Sequence, residues 1–241
     1  MKSNGQEARI AVVTGGARGI GAAIAARLRA DGFRVASLDL IEPERRREGV
    51  VDFACDITDE AAVSAAVADA RAGGRIEALV HCAAYQVIAP FDELESAVWD
   101  RTFDVNVRGG FNLVRAVLPD MRAAGRGRIV MITSSSQFTP PPRMTHYIAS
   151  KGALTGLVRG LATELGPAGI TVNAVAPGLT ATEHALADVP QQHFEAVRSR
   201  QAIPRTGRPE DIAAAVAFAV SDDAGFMTGQ TLLIDGGEGR I

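Results

Sequence analysis

Short apolar runs alternate with segments of helical period along nearly the whole chain. Ile10-Ala11-Val12-Val13 is apolar without a break, the mark of a strand covered on both faces. Gly19 to Asp31 follows as a helix, with Ile20, Ile24 and Leu28 four apart on one face. Further strands are predicted at Phe33 to Leu38, Val50 to Cys55, Ile76 to Cys82, Gly127 to Thr133, Ile170 to Ala176 and Thr231 to Ile234. Asp59 to Ala72 reads as an Ala-rich helix with Thr58 as its N-cap and Gly73-Gly74 as its stop. A long helix is predicted from Ser96 to Ala124, with a kink or break at Pro119. Thr145 to Leu165 is helical, and Pro209 to Ser221 is a helix with proline in its first turn.

Strands that alternate with helices call for a parallel sheet with helices on both faces, an α/β doubly wound architecture of about seven strands. No repeat, linker or change of composition divides residues 1–241, so a single domain is expected. The stretch from Thr180 to Arg205 is weakly periodic, and a long irregular segment in a compact domain is often a functional lid.

The formal net charge is −3, and the densest basic run, Arg45-Arg46-Arg47, lies among Glu42, Glu44 and Glu48. That run reads as a solvated face, not a nucleic-acid patch. Ile212 to Val220 is too short to span a bilayer, and Met1 to Arg9 lacks the apolar core of a signal peptide. Cys55 and Cys82 read as buried free thiols in a reducing cytosol, so a cytoplasmic protein is expected. His81, His146, His184 and His193 have no compact ligand spacing with one another or with a cysteine, so no metal site is expected. Trp99 reads as helix packing.

Between the first strand and the first helix stands Thr14-Gly15-Gly16-Ala17-Arg18-Gly19-Ile20-Gly21. Glycines let backbone approach a phosphate closely, and the helix start offers unpaired N–H groups and positive dipole to an anion. The second strand leads to Asp39, roughly twenty residues beyond. A carboxylate there can accept hydrogen bonds from an adenosine ribose; it would repel a 2′-phosphate by about 4 kcal/mol at ~4 Å in a medium of effective dielectric ~20. That favours NAD over NADP. Arg18 pulls the other way, and Asp39 as a turn cap is the alternative reading.

Tyr147 and Lys151 are one helical turn apart and share a face. A free phenol is a poor base at neutral pH, but a neighbouring ammonium stabilises its anion, and the pair can then move a proton while a cofactor takes a hydride. Thr133-Ser134-Ser135-Ser136 follows a strand; its hydroxyls meet a ligand there or form a plain polar turn.

Together the Thr14–Gly21 string, Asn106, Ser134 and Tyr147-x-x-x-Lys151 resemble the short-chain dehydrogenase/reductase family. Asp56, Asn173-Ala-Val-Ala-Pro177-Gly178, Thr182, Thr228-Gly229-Gln230 and Asp235-Gly236-Gly237 extend the likeness over about residues 8 to 237. The resemblance implies a Rossmann-type fold and a reversible oxidation of a secondary alcohol to its ketone. It makes Tyr147 the general acid/base. Lys151 lowers the phenol's pKa and holds the nicotinamide ribose, Ser134 orients the substrate oxygen, and Asn106 anchors a water in a proton relay. Thr14, Gly15, Arg18, Gly19, Ile20, Gly21, Asp39, Asp56, Ile57, Ala83, Pro177, Gly178, Thr180 and Thr182 are then the cofactor side, with Asp56 reaching the adenine. A homotetramer is implied as well. One departure stands out: His81-Cys82-Ala83-Ala84 replaces the usual Asn-Asn-Ala-Gly. An imidazole can donate one hydrogen bond and accept another, as the lost amide does.

Gln86, Gln137, Phe138, Met144, Leu179 and His184 are candidates for the substrate side, a mixture suited to a small, weakly polar alcohol or ketone. Arg143 is the nearest cation. The second half is also loosely similar to family members acting on aromatic alcohols. The rival readings are an NADPH-dependent ketoreductase of the 3-oxoacyl-carrier type, supported by Arg18, and a dinucleotide-binding sensor without catalysis.

Overall fold

The computed structural model describes residues 7–44 and 47–240. One sheet of seven parallel strands runs through it: β1 (Arg9–Thr14), β2 (Arg34–Asp39), β3 (Val50–Ala54), β4 (Arg75–His81), β5 (Gly127–Ile132), β6 (Ile170–Pro177) and β7 (Thr231–Ile234). The spatial order is β3-β2-β1-β4-β5-β6-β7. The winding reverses between β1 and β4, which pair in parallel. In open α/β sheets the crevice outside the carboxyl ends at such a reversal is where ligands bind.

The continuous apolar runs work as two interleaved faces. Ile10 and Val12 of β1 point into one core with α2 (Glu60–Arg71), α4 (Gly109–Ala124) and α5 (Thr145–Leu165). Ala11 and Val13 point into the other, with α1 (Gly19–Ala30) and α8 (Pro209–Val220). Alternation along each strand makes this unavoidable once both faces are covered. The Rossmann-type α/β architecture expected from the pattern is present.

Three local expectations need correcting. The predicted single helix from Ser96 to Ala124 is α3 (Ser96–Phe103), a π-helical turn at Asp104–Arg108, and α4. The interruption lies at the π turn, not at Pro119, which α4 accommodates. Trp99 stacks on Phe103 within α3, ring centroids 5.0 Å apart. The N-cap of α2 is Asp59, whose carboxylate accepts from the Ala61 and Ala62 N–H groups; Thr58 instead bonds Asp56. The stretch from Thr180 to Arg205 is not irregular throughout, since it folds into α6 (Glu183–Asp188) and α7 (Gln191–Arg200). Phe194 and Val197 are buried, which anchors α7.

Candidate active site

The glycine string forms the turn from β1 into α1. Gly15 has φ +66, and a side chain there would press within 2.9 Å of the Ala83 backbone. At Gly21 a Cβ would sit 2.0 Å from the Gly15 carbonyl oxygen, so no side chain fits. No side chain caps α1, whose N-cap is the exposed Arg18. The first amides of α1, at Gly19, Ile20 and Gly21, therefore have no side-chain acceptor from the cap. Thr182, the N-cap of α6, stands across this opening, its methyl 3.4 Å from where a Gly19 Cβ would lie. A cradle that side chains would fill, at an uncapped helix start, fits the pyrophosphate of a dinucleotide.

Asp39 ends β2 and faces the loop. Its Oδ2 accepts from the Ala17 N–H (3.0 Å) and its Oδ1 from the Ile41 N–H (3.3 Å). Arg47 corrects the reading of the basic run as solvated, because its guanidinium donates to the Gly16 carbonyl (2.6 Å), to the Ser37 hydroxyl (3.3 Å) and to Asp52 (2.5 Å). Arg45 and Arg46 lie outside the described residues. Asp56 turns onto its own loop, accepting from the Thr58 N–H (2.9 Å) and hydroxyl (2.7 Å). Those bonds, helped by Arg101, hold its carboxyl below the usual range. Ile57 is buried in the core against Gly109, so its backbone alone is left to meet a ligand. On the other side of the reversal, Gly178 packs on Asp235, Pro177 ends β6, and the Thr180 hydroxyl donates to the Gly178 carbonyl (3.0 Å).

α5 brings Tyr147 and Lys151 to the same end of the sheet, next to the turn after β5 that carries Ser134. Lys151 is fully buried and its Nζ donates to the Ile132 carbonyl (2.8 Å). The ammonium lies 5.4 Å from the Tyr147 ring centre. Burial lowers Lys151 to about 8 and pushes the Tyr147 phenol up to about 12, with the nearby Ser134 hydroxyl opposing the rise. The sequence pattern predicted a phenol lowered by Lys151; in the folded chain burial is the largest influence on it and raises it.

Asn106 sits in the π turn, completely buried. Its Oδ1 accepts from the Tyr85 N–H (2.7 Å), while Nδ2 donates to the Tyr85 carbonyl (3.1 Å) and to the Ser150 hydroxyl (2.9 Å). Every hydrogen-bonding position of the amide but one lone pair is engaged. The Asn106 backbone carbonyl faces β4. His81 holds that carbonyl through Nε2 (3.0 Å) and takes the Thr14 hydroxyl at Nδ1 (3.1 Å). The imidazole thus fills the place of the missing amide. Ala84 is exposed.

The substrate-side candidates divide. Met144 and Leu179 are half-buried, while Gln86 and Phe138 are exposed. Gln137 folds back, donating to the Ser134 carbonyl (3.2 Å) and accepting from Thr155 (2.9 Å). It braces Ser134 instead of lining open space. His184 lies on the outer face of α6, paired with Asp188 (3.0 Å). Arg143 is exposed with φ +66, its carbonyl accepting from the Ala89 N–H (3.0 Å). His146, beside Tyr147, is buried and packs.

Sequence reasoning gave no role to Ser150, which joins Asn106 to the Tyr147 carbonyl (2.7 Å); its spacing three after Tyr147 was the available signal. Arg47 and the Tyr85 backbone carried none, because their roles come from loop conformation. Among the described residues no three His, Cys, Asp or Glu side chains group as metal ligands, and no helix is long and apolar enough to cross a membrane.

Residues 15–238 match the family model described as enoyl-(acyl carrier protein) reductase. The chain is 41% identical to a probable short-chain type dehydrogenase/reductase of Bradyrhizobium diazoefficiens, covering 96% of this chain and 87% of that one. It is 35% identical to an acetoacetyl-CoA reductase of Shinella zoogloeoides, covering 95% and 98%. Among solved structures, ligand-free aldohexose dehydrogenase from Thermoplasma acidophilum superimposes with a TM-score of 0.90 at 28% identity, over 96% of this chain and 94% of that one. The chain therefore belongs to the short-chain dehydrogenase/reductase family and is an oxidoreductase acting on CH–OH groups.

Proposed function

We propose that this protein interconverts a small secondary alcohol, aromatic members included, and its ketone with NAD(H), Tyr147 acting as the general acid/base. The observation that carries the reading is the meeting of Tyr147, Ser134 and the buried Lys151 beside the glycine cradle. The nicotinamide, when bound, accepts or supplies the hydride. Ser134 orients the substrate oxygen, Tyr147 takes or gives its proton, and Lys151 stabilises the phenolate that proton loss leaves behind. Thr14, Ala83, Pro177, Gly178, Thr180 and Thr182 surround the cradle on the nicotinamide side, and the segment 180–205 serves as the lid. The half-buried Met144 and Leu179 suit a weakly polar substrate.

NAD is favoured by Asp39, whose carboxylate is held on the glycine loop by the Ala17 N–H and would repel a 2′-phosphate brought near it. Titration of the purified protein with NADH and NADPH, read by fluorescence, tests this. The reading predicts NADH binding at least about tenfold tighter, with Asp39→Ala narrowing the gap and NAD-linked oxidation of secondary alcohols following. Tighter NADPH binding would overturn it in favour of an NADPH-dependent ketoreductase of 3-oxoacyl thioesters. That second reading has the exposed Arg18 and the acetoacetyl-CoA reductase relative on its side.

The exposed Phe111, Phe218 and Phe226 support self-association, a homotetramer in our reading, and the free Cys55 and Cys82 support a reducing, cytoplasmic setting.

A further inference from the structure

Resting on that function, the role of His81 goes further. His81 ends β4, completely buried. Its Nε2 faces a carbonyl, Asn106 O, and a carbonyl only accepts, so Nε2 carries the proton. Nδ1 is then an acceptor for the Thr14 hydroxyl. That hydroxyl in turn accepts the Cys82 and Ala83 N–H groups, both at 3.1 Å. Its two lone pairs are spent on those amides, so its single proton must go to His81. The tautomer is fixed from both sides.

We propose that His81 is a positioning residue for the catalytic centre: held as the Nε2–H tautomer by Thr14, it sets the Asn106 turn from which the Tyr85 backbone and, through Ser150, the Tyr147 turn are aligned. The path is continuous. Thr14 adjoins Gly15 in the cofactor cradle, His81 spans from Thr14 to Asn106, Asn106 holds Ser150, and the Ser150 hydroxyl donates to the Tyr147 carbonyl. His81 reaches the Asn106 carbonyl within the π turn itself, between α3 and α4. Room for the ring comes from α4, where a Cβ on Gly110 would lie 3.2 Å from His81 Cδ2. The strand register sets Met131 of β5 beside His81. The charge that acts on the imidazole is Lys151 on α5, and it further disfavours a second ring proton.

Three variants test this: His81→Leu removes the donor, His81→Asn restores an amide donor, and Gly110→Ala leaves the imidazole but presses on its edge. Turnover, substrate KM, cofactor Kd and melting temperature are measured for each. The proposal predicts that His81→Leu lowers kcat about tenfold or more with cofactor Kd within about threefold, that His81→Asn recovers most of the loss, and that Gly110→Ala lowers kcat in the same sense. If all three keep wild-type kcat and only melt earlier, the residue is structural and the proposal is overturned. Nitrogen-15 NMR of the imidazole in the wild type decides independently of turnover and protects against a variant that fails to fold. It should show a neutral ring protonated at Nε2 at neutral pH; an Nδ1–H or doubly protonated ring overturns the proposal. A wild type without dehydrogenase activity contradicts the proposed function alone, and the imidazole spectrum then still supports or overturns the assigned tautomer.

Discussion

At the scale of single residues, burial governs the titrating groups. With Tyr147 raised to about 12 and Lys151 lowered to about 8, neutral pH leaves a phenol beside an ammonium. That state donates a proton, so ketone reduction should hold through neutral pH and fall as Lys151 loses its charge above about pH 8. Alcohol oxidation, which needs the phenolate beside a charged Lys151, should rise with pH up to about 8 and level off beyond it. Steady-state rates in both directions across pH check this, and parallel profiles would contradict it. His81 gives a second pH effect: burial holds it at about 4, against 6.5 for a free imidazole. The unfolded chain then binds the extra proton first, so stability is full above 6.5 and drains as pH falls toward 4. Denaturant unfolding should lose about 2 kcal/mol from this residue between pH ~7.5 and ~5, a component absent in His81→Asn. Tyr147, Ser134, Lys151 and the glycine string were legible because their spacing is a property of the chain. Thr14 and Asn106 were named from the motifs, but their bonds to His81, the Tyr85 backbone and Ser150 depend on chain directions that no spacing encodes.

At the scale of elements, the apolar pattern reported the strands and α5 closely because alternation and helical period are imposed by burial on two faces. It missed what polar local bonds decide. Asp59 outcompetes Thr58 for the α2 N-cap since Thr58 is drawn to Asp56. Replacing Asp59 with Ala should cost about 1 kcal/mol in denaturant unfolding, and Thr58→Ala less, through the Asp56 turn alone. The break at Asp104–Arg108 was read at Pro119 because proline is the visible helix breaker. The actual interruption serves Asn106, whose amide binds the β4–α3 segment and α5 instead of its own helix. The helices of the 180–205 segment were hidden because α7 buries little more than Phe194 and Val197, too weak a stripe to register.

For the whole molecule, the two ends of the sheet have different duties. The carboxyl end holds the glycine cradle with Tyr147, Ser134 and Lys151. Near the amino end, Glu77 of β4, 2% exposed, is gripped by Arg9, Arg75 and Arg126. Burial pushes its carboxyl up, yet the three guanidinium groups together hold it below the usual range. Arg126 also pairs with Asp222, tying the amino ends of β1, β4 and β5 to the loop after α8. Glu77→Ala leaves Arg9 and Arg75 without this partner, with Arg126 still on Asp222, and should destabilise the fold by about 1 kcal/mol while leaving kcat near wild type, as unfolding and turnover assays can check. A large loss of kcat with intact stability would contradict this division. The fold follows from pattern, and the family from motifs; the hydrogen-bonded path from Thr14 through His81 to Asn106 has no sequence signal, because its members are distant in the chain and meet where β1 pairs β4. The most direct test of the account is Tyr147→Phe, with NADH affinity and turnover on a secondary alcohol measured on the same preparation. The account predicts NADH binding within about threefold of wild type and turnover reduced about a thousandfold or more; an unchanged rate would show that Tyr147 does not carry the proton.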